Sequence, residues 1–125
     1  MKRKGIEAKG TPMGPYSLAV DAAGFVYVSG QAGVDPDTKR LAPGGIGPET
    51  RQTFANIFRI LAAAGLSSDD VQKVNVYLTD IDNFAEMNAV YKEQFTEPYP
   101  ARTTVAVKAL PRTDALVEIE VVAKR

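Results

Sequence analysis

The chain has 125 residues, 45% of them apolar, and its 15 basic residues balance its 15 acidic ones. That length points to one domain, residues 1–125, with room for one core. Zero formal charge gives no electrostatic case for nucleic acid, whose phosphates call for a basic face. With neither histidine nor cysteine, the chain has no Ser-His-Asp triad, thiol nucleophile, disulfide or His/Cys zinc site. A carboxylate cation site would need clustered acidic spacing like that of an EF-hand loop, and none is visible, so the expectation is no metal and no cofactor. Catalysis would fall to Arg, Glu, Tyr, Ser, Thr, backbone groups and water. No apolar run reaches the length of a membrane span, and no apolar leader follows the basic Met1-Lys2-Arg3-Lys4. The chain therefore reads as cytoplasmic, with no membrane partner.

Residues 1–10 form a charged lead-in that suits a short edge strand. Gly10 to Pro15 is a stiff loop delivering Tyr16. Weak alternation over Ser17–Asp21, a turn at Ala22-Ala23-Gly24 and the β-rich run Phe25-Val26-Tyr27-Val28 predict a hairpin ending at Ser29-Gly30-Gln31. Residues 32–48, rich in glycine and proline, read as a long surface loop. Pro48-Glu49 opens a helix, with proline suited to its first position and glutamate to the positive end of its dipole. Phe54, Ile57, Phe58 and Leu61 give that helix one apolar stripe, and Gly65 ends it.

Val71–Leu78 alternates as a strand, with Gln72, Val74, Val76 and Leu78 expected on the covered face. Asp80 or Asp82 caps a second helix whose core stripe is Phe84, Met87, Tyr91 and Phe95. Strands at about 103–109 and 116–123 close the chain, joined by Leu110-Pro111-Arg112-Thr113-Asp114. The order β-β-α-β-α-β-β predicts an α+β fold, a mixed sheet with two helices on one face. The strands carry apolar residues on both faces. The uncovered face calls for a second copy of the chain, hence a homo-oligomer.

Five places bear on chemistry. Arg102 stands at the mouth of the strand after Tyr99-Pro100-Ala101, where its planar fork can take a carboxylate bidentately; an edge arginine paired with a surface acid is the plainer alternative. Glu118 and Glu120 share one strand face with Val122. That is either a solvated face or, if the face lines an oligomer cleft, a carboxylate able to orient water. Asn88 borders the second helix's apolar stripe and suits a backbone-bonding role as well as a ligand-binding one. Tyr16 can be a packed aromatic, and Ser29 can bond its own turn.

Taken in order, Gly14-Pro15-Tyr16-Ser17, Val28-Ser29-Gly30-Gln31, Gln52-Thr53 with Asn56-Ile57, Ala63-Ala64-Gly65, Val76-Tyr77-Leu78, Asp82-Asn83-Phe84, Asn88 with Tyr91 and Phe95, Pro100-Ala101-Arg102, Leu110-Pro111 and Val117-Glu118-Ile119-Glu120 resemble the RidA/YjgF family of reactive-intermediate deaminases. The resemblance runs from about residue 12 to 124. It implies a chorismate-mutase-like subunit in a homotrimer, with clefts between neighbouring subunits. It also implies hydrolysis of 2-imino acids and their enamine tautomers (2-aminoacrylate, 2-iminopropanoate, 2-iminobutanoate) to 2-keto acids and ammonia.

By motif position Arg102 would bind the substrate carboxylate and Glu118 would orient the attacking water. Tyr16, Ser29, Gly30, Asn88 and the backbone at Thr104 would line the pocket. Thr104 stands where many relatives carry cysteine, and the turn from Leu110 to Glu118 is a residue longer than in some. A protonated imine is already electrophilic, so positioning and general-base help suffice, without metal or covalent intermediate. Two alternatives stay open: a non-catalytic module that binds 2-keto or amino acids, and an RNA-acting translation inhibitor, against which the neutral charge and missing histidine argue.

Overall fold

Burial alternates along the strands and decides which face of the sheet is covered. In the computed structural model, which describes residues 2–125, β1 (Lys4–Ile6), β2 (Ala19–Ala22), β3 (Phe25–Ala32), β4 (Val71–Leu78), β5 (Ala101–Ala106) and β6 (Val117–Lys124) form one sheet in the order β1-β2-β3-β6-β4-β5. Every neighbouring pair is antiparallel except β4 and β5, which run parallel. A parallel pair needs a crossover, and α2 (Phe84–Gln94) supplies it. The other helix, α1 (Ile46–Ala63), connects β3 to β4. Among the described residues no helix is long and apolar enough to cross a membrane.

Val26 and Val28 of β3, Val74, Val76 and Leu78 of β4, and Val117, Ile119, Val121 and Ala123 of β6 all point to the helices. They meet Phe54, Ile57, Ile60 and Leu61 of α1 and Met87 and Tyr91 of α2 in one core. Burying a side chain such as Phe54 or Ile57 contributes about 1.5–3 kcal/mol. Phe54 sits at the centre of an aromatic group, edge-on to both Tyr91 and Phe95 with ring centroids 5.6 Å away in each case. On the opposite face Phe25, Tyr27 and Val105 remain 40%, 46% and 41% exposed, since neither helix covers them.

The predicted order of elements matches, with the lead-in contributing β1. Several boundaries move for local reasons. The first helix starts at Ile46, two residues before Pro48, because the Glu86 carboxylate accepts from the Gly47 N–H at 3.0 Å and so satisfies the helix end from outside. Glu49 is not an exposed dipole partner: it is 5% exposed and accepts from the Leu116 N–H at 2.9 Å. The C-terminus of α1 follows expectation, with the N–H groups of Gly65 and Leu66 returning to the carbonyls of Ala62 and Leu61, and Gly65 at φ 77°.

In β4 the covered face is Val71, Val74, Val76 and Leu78 rather than Gln72. A register shift between Val71 and Lys73 against β6 inserts one residue, so the alternation changes phase there. Asp80 caps a short 3-10 turn (Ile81–Asn83) that leads into α2, and α2 itself has no side-chain cap. Phe95 lies just past the end of α2 but still packs into the aromatic group. The strand expected at 103–109 is β5, starting at Ala101 and ending at Ala106.

Candidate active site

The seven candidate residues fall into two groups on opposite faces of the sheet. Arg102 lies on the edge strand β5, in register with fully buried Val74 of β4, and its side chain turns toward the helices. Its Nη1 donates to Asn88 Oδ1 at 2.7 Å. Its guanidinium carbon sits 4.5 Å from the centroid of the Tyr91 ring and 5.5 Å from that of Phe84. No ion pair joins it to a carboxylate among the described residues, so the plainer alternative, an arginine spent on a surface acid, is not what the chain adopts. Thr104, two residues on, shares this side; its hydroxyl is buried without a hydrogen-bond partner. Asn88 therefore touches Arg102, and its amide oxygen is not used on backbone.

Glu118 belongs to the other face. Val117 and Ile119 on either side of it are fully buried toward the helices, which turns Glu118 outward, in register with Tyr77 of β4 and Ala32 of β3. Gly30 lies against it: a methyl group at Gly30 would stand 2.5 Å from Glu118 Oε2. The shift in β3–β6 register between Val28 and Gln31 puts Ser29 and Gly30 in the irregular stretch. Ser29 is fixed there, its hydroxyl donating to the Ser17 carbonyl at 2.6 Å and its N–H to the Leu18 carbonyl at 2.9 Å. Tyr16, 47% exposed, stands beside it across a cavity of about 510 Å³ lined by Arg3, Tyr16, Val20, Tyr27, Ser29 and Glu120. Glu118 is not among the residues that line this cavity.

The two carboxylates, alike in sequence, differ in surroundings. Glu120 Oε1 accepts from the Tyr77 hydroxyl at 2.5 Å and from Asn75 Nδ2 at 3.2 Å, and this contact pushes the Tyr77 phenol up to about 12. Glu118 accepts no hydrogen bond from a described residue. Burial, and after it the neighbouring Glu120 charge, push the Glu118 carboxyl above its usual range. The carboxylate without a donor is therefore Glu118. Strand alternation grouped the two and the motif resemblance singled out Glu118, while Asn75 and Tyr77, which alternate onto one face of β4, signal the pairing with Glu120. It also placed Tyr91 only in the core, where its i+3 spacing from Asn88 puts both on the helix face that meets Arg102.

Arg102, Asn88 and Thr104 come together on the helix side, whereas on the other face Tyr16 and Ser29 share the cavity with Glu120 and Gly30 lies against Glu118. The two groups do not meet within one protomer.

Residues 7–125 match the family model described as Endoribonuclease L-PSP. A RutC family protein of Pyrococcus horikoshii is 50% identical over 112 residues, covering 90% of this chain and 88% of that protein. A protein of Bos taurus named 2-iminobutanoate/2-iminopropanoate deaminase is 45% identical over 111 residues, covering 89% of this chain and 80% of that one. Among solved structures, Escherichia coli TdcF with bound serine superposes with a TM-score of 0.91 at 38% identity, each chain covered to 98%.

Proposed function

The chain belongs to the Endoribonuclease L-PSP family, which is the RidA/YjgF family its motifs resemble, and we propose that it is a metal-independent hydrolase of 2-imino acids, releasing 2-keto acids and ammonia. The observation that carries this reading is the pair of unspent functional groups. Arg102 has a guanidinium with no carboxylate partner among the described residues, and Glu118 has a carboxylate with no donor. One is suited to hold a substrate carboxylate and the other to take a proton from water.

Because these groups lie on opposite faces, the proposed site is formed between copies: Arg102, Asn88 and Thr104 from one, Tyr16, Ser29, Gly30 and Glu118 from the next. The exposed apolar residues Phe25, Tyr27 and Val105 on the uncovered face agree with burial against another copy. A closed ring of three, the chorismate-mutase-like homotrimer implied by the resemblance, gives each copy both roles.

In the proposed reaction the Arg102 fork fixes the carboxylate of a protonated imine. Water adds to its C2 as Glu118 accepts the water's proton, forming a C–O bond and a carbinolamine. Glu118 then returns a proton to nitrogen, the C–N bond breaks as the oxygen lone pair forms the C=O bond, the hydroxyl proton passes to the departing ammonia, and the products are a 2-keto acid and ammonium. Burial favours this use of Glu118, because a carboxylate whose pKa is raised is a stronger base toward water. Fixing two reactants in place supplies much of the acceleration.

A binding-only reading draws on the serine-bound state of TdcF, which says of that relative that it holds an amino acid. An RNA-acting reading draws on the family's description, but the chain offers neither net positive charge nor histidine. The decisive experiment couples a threonine dehydratase to the purified protein and follows decay of the released imine. Faster decay that disappears in Glu118→Gln supports the deaminase; decay at the uncatalysed rate with intact 2-oxobutanoate binding favours the binding module. A salt-dependent RNA mobility shift would favour the RNA reading.

A further inference from the structure

Phe84, Asn88 and Tyr91 stand at i, i+4 and i+7 along α2 and therefore share one face of it. All three contact the same guanidinium. Asn88 contributes a single hydrogen bond to Arg102 Nη1, which leaves the fork free to pivot about that contact. The Tyr91 ring lies under the guanidinium, its centroid 4.5 Å from the guanidinium carbon, and the attraction of a planar cation to an aromatic face opposes that pivot. That ring is itself packed on its other sides: Tyr91 is 5% exposed, edge-on to Phe54 and 5.2 Å from Phe95 between centroids.

Its hydroxyl is buried with no hydrogen-bond partner. The oxygen thus does nothing visible in the protomer, while the ring face meets the one cation assigned to substrate. We propose that Tyr91 is a positioning residue, its ring face setting the plane of the Arg102 fork so that the edge not bonded to Asn88 is presented to a carboxylate. The inference rests on the reading that Arg102 binds the substrate carboxylate, and it names the feature that makes the arginine a directional receptor and not merely a charge.

The test compares Tyr91→Phe, Tyr91→Leu, Phe95→Leu and Arg102→Lys in the assembled protein. It measures 2-oxobutanoate affinity by calorimetry, the melting temperature, and kcat and KM separately. Tyr91→Phe keeps the ring and sheds an unpartnered oxygen, so affinity and melting temperature should match the parent. Tyr91→Leu should weaken affinity roughly 3- to 30-fold, with the loss in KM larger than that in kcat. Phe95→Leu opens the same aromatic group without touching Arg102, so it should lower the melting temperature while leaving affinity normal. If Tyr91→Leu does not fold, Tyr91→Met fills the space without an aromatic face and carries the same expectation.

Parent-like affinity in Tyr91→Leu or Tyr91→Met, beside a loss in Arg102→Lys, overturns the positioning role. So does a loss in Tyr91→Phe equal to that in Tyr91→Leu, or an equal loss in Phe95→Leu. Normal affinity in Arg102→Lys instead overturns the underlying assignment of Arg102.

Discussion

Replacing Gly30 by alanine should move Glu118 without removing a single functional atom. The added methyl carbon would stand 2.5 Å from Glu118 Oε2, 2.9 Å from its Cδ and 3.2 Å from its Cγ, whereas ordinary contact begins at 3.4 Å. The carboxylate must therefore retreat by about 1 Å, and a misplacement of that size costs about 100-fold in rate. Gly30 is not among the positive-φ glycines, so alanine adds no backbone strain there, and the group that must yield is the far end of a flexible side chain. Stability should change little.

Gly33→Ala is the contrast. Its methyl would meet the backbone of Glu49, 2.5 Å from the carbonyl oxygen and 2.9 Å from Cα, and a helix backbone cannot step aside. That change should cost about 1–3 kcal/mol of stability. The dehydratase-coupled decay of 2-iminobutanoate, read beside thermal melting, separates the two cases. Full activity in a normally folded Gly30→Ala protein would falsify the placement of Glu118 at the reacting water. A joint fall of activity and melting temperature, as expected for Gly33→Ala, would mean that folding and not positioning was lost.

Glu118 must be ionised to act as a base, so kcat/KM should fall as pH drops through a value above the ordinary carboxylate range. Glu120→Gln removes the secondary cause of that rise and should move this acid limb to lower pH; an unmoved limb would contradict the charge coupling. Glu49 is likewise raised by burial, so the folded chain binds its proton more tightly than the unfolded one. Its contribution to stability is full below the ordinary value of 4.5 and is lost as pH rises through the folded value. Melting temperature plotted against pH should be flatter in Glu49→Gln than in the parent. Glu49→Ala, which leaves the Leu116 N–H without its acceptor, should cost about 1–3 kcal/mol near neutral pH; wild-type melting would show the contact to be idle.

The sequence carried the strands and helices because their apolar periods are strong, as in Val71–Leu78, whose limits coincide with β4. It misplaced the face of Gln72, since a one-residue bulge leaves no mark in an alternating pattern and shows only against the partner strand. It put the start of α1 at Pro48, because the group that satisfies Gly47 lies 39 residues away at Glu86. The residue types of the candidate site were legible, and so was the shared face of Glu118 and Glu120. Which carboxylate is free was not, because that depends on Tyr77 and Asn75 reaching across from β4. Nor did spacing along the chain show that Arg102 and Glu118 face away from each other. That depends on the parallel pairing of β4 with β5 beside the antiparallel pairing of β4 with β6.

The central claim, a site whose arginine and glutamate come from different copies, is tested most directly by mixing two inactive variants. Arg102→Lys and Glu118→Gln subunits, dissociated together and reassembled at equal ratio, place an intact Arg102 beside an intact Glu118 in about one quarter of the sites of a closed ring. Imine hydrolysis should return to about one quarter of the parent rate, while each variant reassembled alone stays inactive. Continued inactivity of a mixture whose subunits demonstrably exchange would place both residues of each site on one copy and contradict the account.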